Sequence, residues 1–301
     1  MPRSEDEQVD VDSNLLMKKL KLQLMKEFKD VFKKDLDKGD RIDMKPVVIE
    51  TIPEKNKIRP SNAYTPIETP IHLQAAAGKE LSRILAAGQI EKCETATNWC
   101  ARGFFVSKPS SCPTDVKVRL VSDFRGVNKI LRRPGYPMDG SSLILKRLNP
   151  DEGFFATIDL SSGYHQVALA EESRDLFAII LPQGKYRYTV LPQGAASSCD
   201  IFNLITDAGI RNKEGYFKNI DDILTSASSI DQMEDRLRTL LTICRKKNMK
   251  LNPTKFEIAH SVTFGGVELS GKKKAGDKVR KVYITPAKKR LEEFFAIETP
   301  N

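Results

Sequence analysis

Three aspartates in two settings carry the strongest chemical signal in this chain. Asp159 closes the apolar run Phe154-Phe155-Ala156-Thr157-Ile158, and Asp221-Asp222 lie between Ile220 and Ile223-Leu224. An apolar run ending in an acid reads as a buried strand that presents a carboxylate at its exposed end. An acid pair between short apolar stretches reads as the tight turn of a β-hairpin. Packed side by side, the two elements gather three carboxylates, the hard oxygen ligands that Mg²⁺ prefers. Two such ions roughly 3.5–4 Å apart clamp the attacking and leaving oxygens of a phosphoryl transfer. Each setting alone reads more simply as a solvated cap or turn, so the weight falls on what surrounds them.

The elements that must position these acids are legible from periodicity and punctuation. Residues 1–13 read as disordered, and Asn14 to Phe32 as an amphipathic helix through Leu15, Leu16, Leu20, Leu24 and Phe28. Residues 33–70 read as a charged, proline-punctuated linker wrapping onto a body, with an extended piece at Val47-Val48-Ile49. A helix from Leu73 to Gly88 precedes two strands, Gly103 to Lys108 and Val116 to Ser122, around a turn at 109–114. Phe177 to Leu181 and Tyr186 to Leu191 flank Pro182-Gln183-Gly184 as a hairpin. Helices are expected from about Ala195 to Gly209 and over 231–248. Strands are expected over Lys250 to Ile258 and Val262 to Leu269, and Thr285-Pro286 reads as the opening of a last helix.

Bulk properties narrow the field. At 301 residues the chain can bury a substantial core in one or two domains. A net charge of +9 points to a polyanionic partner. The five cysteines, Cys93, Cys100, Cys112, Cys199 and Cys244, show no C-x-x-C spacing, and the histidines stand outside metal-ligand register with them. Neither a zinc site nor a disulfide framework is indicated, and the odd count fits a reducing compartment. The acidic, polar start at Met1 to Glu7 lacks a signal-peptide pattern, and apolar runs such as Leu176 to Leu181 are too short to span a bilayer. The expectation is an intracellular protein, cytoplasmic or nuclear, without a membrane partner.

The segment Ile158-Asp159-Leu160-Ser161-Ser162-Gly163-Tyr164-His165-Gln166-Val167 resembles the first catalytic segment of reverse transcriptases from long-terminal-repeat retroelements. Four further segments are similar to that family and fall in its order. They are Arg119 to Lys129, Leu191-Pro192-Gln193-Gly194, Ile220 to Leu224, and Phe264-Gly265-Gly266-Val267-Glu268-Leu269. The resemblance runs from about Arg59 to the C-terminus and is closest to the Ty3/gypsy type. It implies an α+β, right-hand polymerase fold with fingers and a ferredoxin-like split βαβ palm. The implied divisions are an N-terminal helix and linker over 1–58, fingers and palm over 59–270, and a basic segment with the start of a truncated thumb over 271–301. A chain stopping there reads as a fragment of a larger polyprotein.

The resemblance also assigns roles. Asp159, Asp221 and Asp222 would be the catalytic carboxylates holding two Mg²⁺ ions, for which Mn²⁺ can substitute. Arg119, with Lys117 as a second candidate, would contact the triphosphate of an incoming deoxynucleoside triphosphate. Tyr164 would pack beneath the sugar and exclude a 2′-hydroxyl, and Gln193 would lie beside the nucleotide pocket. Gly265 and Gly266 would grip the primer end, and Lys255 would pair with phosphates or an active-site carboxylate. The implied activity is RNA-directed DNA polymerisation on an RNA or DNA template with a primer. One departure stands out: Asn219 occupies a position where the family usually has an aromatic residue. The alternative reading is a truncated or degenerate retroelement-derived domain that binds nucleic acid without polymerising.

Overall fold

The computed structural model describes residues 5–55, 65–108, 116–207, 209–211, 213–272 and 280–287, with backbone alone for 5–11. The helices are α1 Glu5–Glu27, α2 Ile71–Ala86, α3 Ser141–Arg147, α4 Glu171–Arg174, α5 Ser198–Thr206 and α6 Ile230–Lys246. The first six strands are β1 Ile90–Lys92, β2 Ala101–Ser107, β3 Val118–Ser122, β4 Phe154–Asp159, β5 Ala178–Leu181 and β6 Gly184–Tyr188. They are followed by β7 Tyr216–Asn219, β8 Asp222–Ala227, β9 Glu257–Ala259, β10 Ser261–Phe264, β11 Val267–Lys272 and β12 Lys281–Pro286.

The chain divides into two compact units, each made of separated segments. One comprises 1–34, 137–161 and 205–301; the other comprises 35–136 and 162–204. The linear boundaries drawn at residues 58 and 270 do not coincide with these divisions.

The first unit carries the aspartates. Its four-stranded antiparallel sheet has the order β7-β8-β4-β9. In chain order its strands run β4, β7, β8 and β9, with α6 between β8 and β9; α4, β5, β6 and most of α5, which intervene between β4 and β7, belong to the second unit. One side of α6 is apolar at helical spacing and buries Met233, Leu237, Leu240, Leu241 and Cys244. The Ser229 hydroxyl caps its start by accepting from the Gln232 amide at 3.2 Å. A second core joins Phe155, Phe217 and Leu224 of the sheet to Ile144 and Leu148 and to Val262, Phe264 and Leu269. Those last three lie on the antiparallel sheet β10-β11-β12.

The second unit is built on a five-stranded sheet, β1-β6-β5-β2-β3, in which β2 and β5 pair in parallel. The extended Val47 to Ile49 piece packs onto the segment before this sheet: Val47 bridges Leu169, and the Ile49 amide donates to Ser173 Oγ at 2.8 Å.

Four expectations need correction. Helix α1 begins at Glu5, inside the stretch read as disordered. The strand expected over 250–258 is a bridge at Leu251, a turn and then β9, because Asn252-Pro253 breaks the run. The strand expected over 262–269 is a hairpin, since Gly265 and Gly266 adopt φ of 58° and 83° and turn the chain. Thr285 and Pro286 themselves close β12, paired with β11, and the helix expected beyond them lies outside the described residues. The turn at 109–114 lies outside the described residues apart from its flanks, as does most of the basic segment after Lys272.

Gly153 and Gly271 let β11 approach the residue just before β4 at backbone distance; a Cβ on Gly271 would overlap the Gly153 carbonyl. Gly271→Ala is expected to lose on the order of 3 kcal/mol of stability. Urea unfolding checks this, and a loss below about 1 kcal/mol would show that the strands can part without cost.

Candidate active site

Asp159 ends β4 and Asp222 begins β8, and the two are direct partners in the antiparallel ladder. Opposed residues place their Cβ atoms about 4.5–5.5 Å apart, so two acids face one another. Asp221 is the second residue of the two-residue turn Ile220-Asp221, and its carbonyl accepts from the Leu160 amide at 3.0 Å. That bond ties the hairpin tip to the end of β4. Ile220 sits at φ 58°, a costly conformation for a β-branched residue. The ladder pairs Asn219–Asp222 and Asp159–Asp222 over-determine the turn and hold it there.

Asp159 is buried, with 6% of its surface exposed. Its Oδ2 meets Lys255 Nζ at 2.5 Å, while its Oδ1 is buried without a hydrogen-bond partner. Desolvation holds the Asp159 carboxyl above the usual carboxylate range; Lys255 opposes that shift, and the charges of Asp221 and Asp222 reinforce it. Asp222 is raised as well, by desolvation first and then by Asp221. Among the described residues no three acid, histidine or cysteine side chains form a preformed metal cage. The donor chemistry still fits a hard divalent cation: all-oxygen ligands on adjoining strand ends, one oxygen of them orphaned.

Of the two partners anticipated for Lys255, the structure gives it the carboxylate. Gly265 and Gly266 form the β10–β11 turn, and a Cβ on Gly265 would come within 2.6 Å of Ser141 Oγ. The same hydroxyl accepts from Asn219 Nδ2 at 3.3 Å. The departure at Asn219 therefore places a hydrogen bond, in place of a ring, beside the glycine turn.

The second unit holds the residues expected to meet a nucleotide. A cavity of about 460 Å³ is lined by Arg119, Ser162, His165, Gln193 and Gly194, with Glu80 and Arg83 from α2. Arg119 projects from β3, exposed, with no ion-pair partner among the described residues. Lys117 is not on the wall; Lys108 is, and its amide bonds the Lys117 carbonyl at 2.7 Å. Tyr164 is also absent from the lining. Its half-buried ring packs on Phe202, centroids 4.9 Å apart.

Three contributors were not singled out from sequence. Asn128 clamps the turn after Gln193, donating to the Gly194 carbonyl and accepting from the Ala196 amide, both at 2.9 Å. Its place in the Arg119 to Lys129 segment was the available signal. Arg83 is held by Glu80 through two 2.8 Å bonds. Burial pushes His165 down to about 4, with Arg83 and Arg41 acting in the same direction, so it stays neutral at pH 7.

Because Asp222 is ionised against desolvation and a like charge, its removal should relieve the metal-free protein. Asp222→Asn is expected to raise Tm in chelator by about 2 °C. An unchanged or lower Tm by calorimetry would show that the acids are not in electrostatic conflict.

The family model for reverse transcriptase (RNA-dependent DNA polymerase) matches residues 106–269. The chain is 35% identical over 172 residues to the retrovirus-related Pol polyprotein from transposon 412 of Drosophila melanogaster, covering 56% of this chain and 14% of that protein. It is 31% identical over 173 residues to the corresponding polyprotein from transposon gypsy of the same organism, covering 56% and 17%. The foamy viral protease-reverse transcriptase, solved in complex with RNA/DNA hybrid, superposes with a TM-score of 0.75 at 19% identity. That alignment covers 92% of this chain and 35% of the viral one, and it shows the shared fold. The chain thus spans less than a fifth of these two relatives. It belongs to the reverse transcriptase (RNA-dependent DNA polymerase) family, of the kind carried by gypsy-type retroelement polyproteins.

Proposed function

We propose that this chain is the polymerase core of a retroelement polyprotein and performs RNA-directed DNA synthesis, adding deoxynucleotides to a primer 3′ end. The observation that carries the reading is the register of β4 against β8. It opposes Asp159 to Asp222 and leaves one Asp159 oxygen buried without a partner, inside the segment matched by the family. Asp159, Asp221 and Asp222 would hold two Mg²⁺ ions, which supply Lewis acidity and lower the pKa of the primer hydroxyl.

The chain's own residues then do the positioning. The strand ends fix the carboxylates, and the Asp221 carbonyl bond to Leu160 keeps the hairpin tip from drifting. Arg119 offers a guanidinium fork to phosphate oxygens and, among the described residues, has no acid to give up first. Gln193 and Gly194 present a turn that Asn128 stiffens. Tyr164, backed by Phe202, is the candidate that excludes a 2′-hydroxyl. The partners proposed are a primed RNA or DNA template and deoxynucleoside triphosphates, and the setting proposed is the cytoplasm or nucleus.

Primer extension on an RNA template with Mg²⁺ tests the reading directly. Asp221→Asn should reduce extension by about 1,000-fold or more, about 4 kcal/mol of transition-state stabilisation, with duplex binding retained. Equal extension by both proteins would remove the carboxylates from catalysis. No extension by either, with binding intact, would favour a domain that binds without polymerising. On the active protein, Tyr164→Val should lower discrimination against ribonucleotides by about ten-fold or more; unchanged sugar selectivity in competition assays would take Tyr164 out of that role.

A further inference from the structure

Lys255 is the cation nearest to hand for the acid cluster, and the way it is mounted separates its root from its head. The Lys255 amide donates to the Asn252 carbonyl at 3.2 Å, and the Asn252 amide donates to the carbonyl of Asp159 itself at 2.8 Å. Asn252 Oδ1 further accepts from the Thr254 amide at 3.1 Å and the Thr254 hydroxyl at 2.8 Å. Leu251, just before, is bracketed by Val31 and Lys33, through two backbone bonds of 2.9 Å. Ser161 completes the frame, donating from its amide to the Lys250 carbonyl at 3.0 Å and from its hydroxyl to the Lys33 carbonyl at 2.5 Å. None of these bonds uses the lysine side chain. The backbone that carries Lys255 is therefore fixed relative to Asp159 whether or not the ammonium is paired.

The two partners differ in freedom. The Asp159 side chain is 8% exposed and the Lys255 side chain 58% exposed. The acid cannot leave, whereas the ammonium can swing into water with little desolvation to reverse. Its pairing is also partial, reaching Oδ2 and leaving Oδ1 buried and bare. A single positive charge on one oxygen compensates Asp159 and the neighbouring charges of Asp221 and Asp222 incompletely, and a divalent ion compensates them better.

We propose that Lys255 is an exchangeable internal cation, occupying the cation position at Asp159 in the metal-free chain and yielding it when a divalent metal enters. The proposal rests on the reading of the three acids as metal ligands. Lys255 acts through Asp159, as a positioning residue: it keeps the strand ends registered until metal arrives, and its departure is a step in metal loading.

Titration of the whole chain with Mn²⁺, reading free ion by electron paramagnetic resonance, separates these roles. Lys255→Gln should bind Mn²⁺ about five-fold or more tighter than wild type, since the competitor is gone. Lys255→Arg should stay near wild type. In chelator the Gln variant should melt lower than wild type, with the gap closing at saturating Mn²⁺. Unchanged or weaker Mn²⁺ binding by a folded Lys255→Gln protein would overturn the exchange. Asp159→Asn distinguishes the two levels of failure. If it leaves wild-type Mn²⁺ affinity intact, the ligand reading falls and the exchange with it; if it abolishes binding while Lys255→Gln changes nothing, the exchange alone is wrong.

Discussion

Three carboxylates at the end of one antiparallel ladder repel each other, and much of the unit that carries them serves to hold them there. The register of β4 against β8 sets the problem, because it makes Asp159 and Asp222 direct partners. A slip of one residue would turn every side chain of a strand to the opposite face. It would carry Phe155, which has no exposed surface at present, off its core contacts and turn Asp159 to the opposite face. The apolar core beneath the sheet thus fixes the register, and the register fixes the charges. Desolvation adds to the repulsion at both ends of the pair, so the site is stable only because packing elsewhere outweighs it.

The restraints around the acids come from distant parts of the chain. The stretch that enters the turn at Pro253 bonds Asp159 through the Asn252 amide, the segment Val31 to Lys33 bonds Leu251, and Ser161 bonds Lys250 and Lys33. Arg245 pairs with Asp30 at 2.6 Å and Arg238 with Glu27 at 2.7 Å, which seats α1 against α6. Those surface pairs contribute little energy individually; the stacking of Phe32 on Phe256, centroids 5.1 Å apart, and the buried Leu24 and Phe28 do more. The N-terminal segment is in this sense part of the frame of the site, although it lies more than a hundred residues from the nearest catalytic candidate in sequence.

What the sequence made legible was local. An apolar run ending in Asp159 and an acid pair between apolar stretches are patterns of a few residues, and both folded as a strand end and a hairpin. The errors have the opposite character. Thr285-Pro286 carries a genuine helix-start signal, but those two residues pair with β11, opposite Glu268 and Val267. The run 250–258 alternates well enough to suggest a strand, yet Asn252-Pro253 turns it, and only that turn brings Lys255 onto Asp159. The interleaving of two units is invisible in any window, since each unit is assembled from separated stretches. Lys117 and Tyr164 were placed by resemblance, and the geometry puts neither on the wall of the cavity that Arg119 and Gln193 line.

Charge shows how a basic chain can reserve particular cations for a ligand. Several arginines of the second unit are neutralised by their own neighbours. Arg187 is gripped by Glu91, Glu171 and Asp175, Arg133 by Asp200, and Arg125 by Asp123. Such cations are committed to the fold, and a phosphate would have to displace an acid to reach them. Arg119 projects from β3 with no such acid among the described residues, over a cavity that also contains a neutral His165. A guanidinium mounted on a rigid strand, left without an internal counter-ion, costs the fold little and loses nothing when an anion arrives. Lys255 is the inverse arrangement, a cation given an internal partner until a stronger one displaces it. Both follow from one rule: where a group must bind something absent from the folded chain, the fold either leaves it unpaired in water or pairs it with a group that can leave.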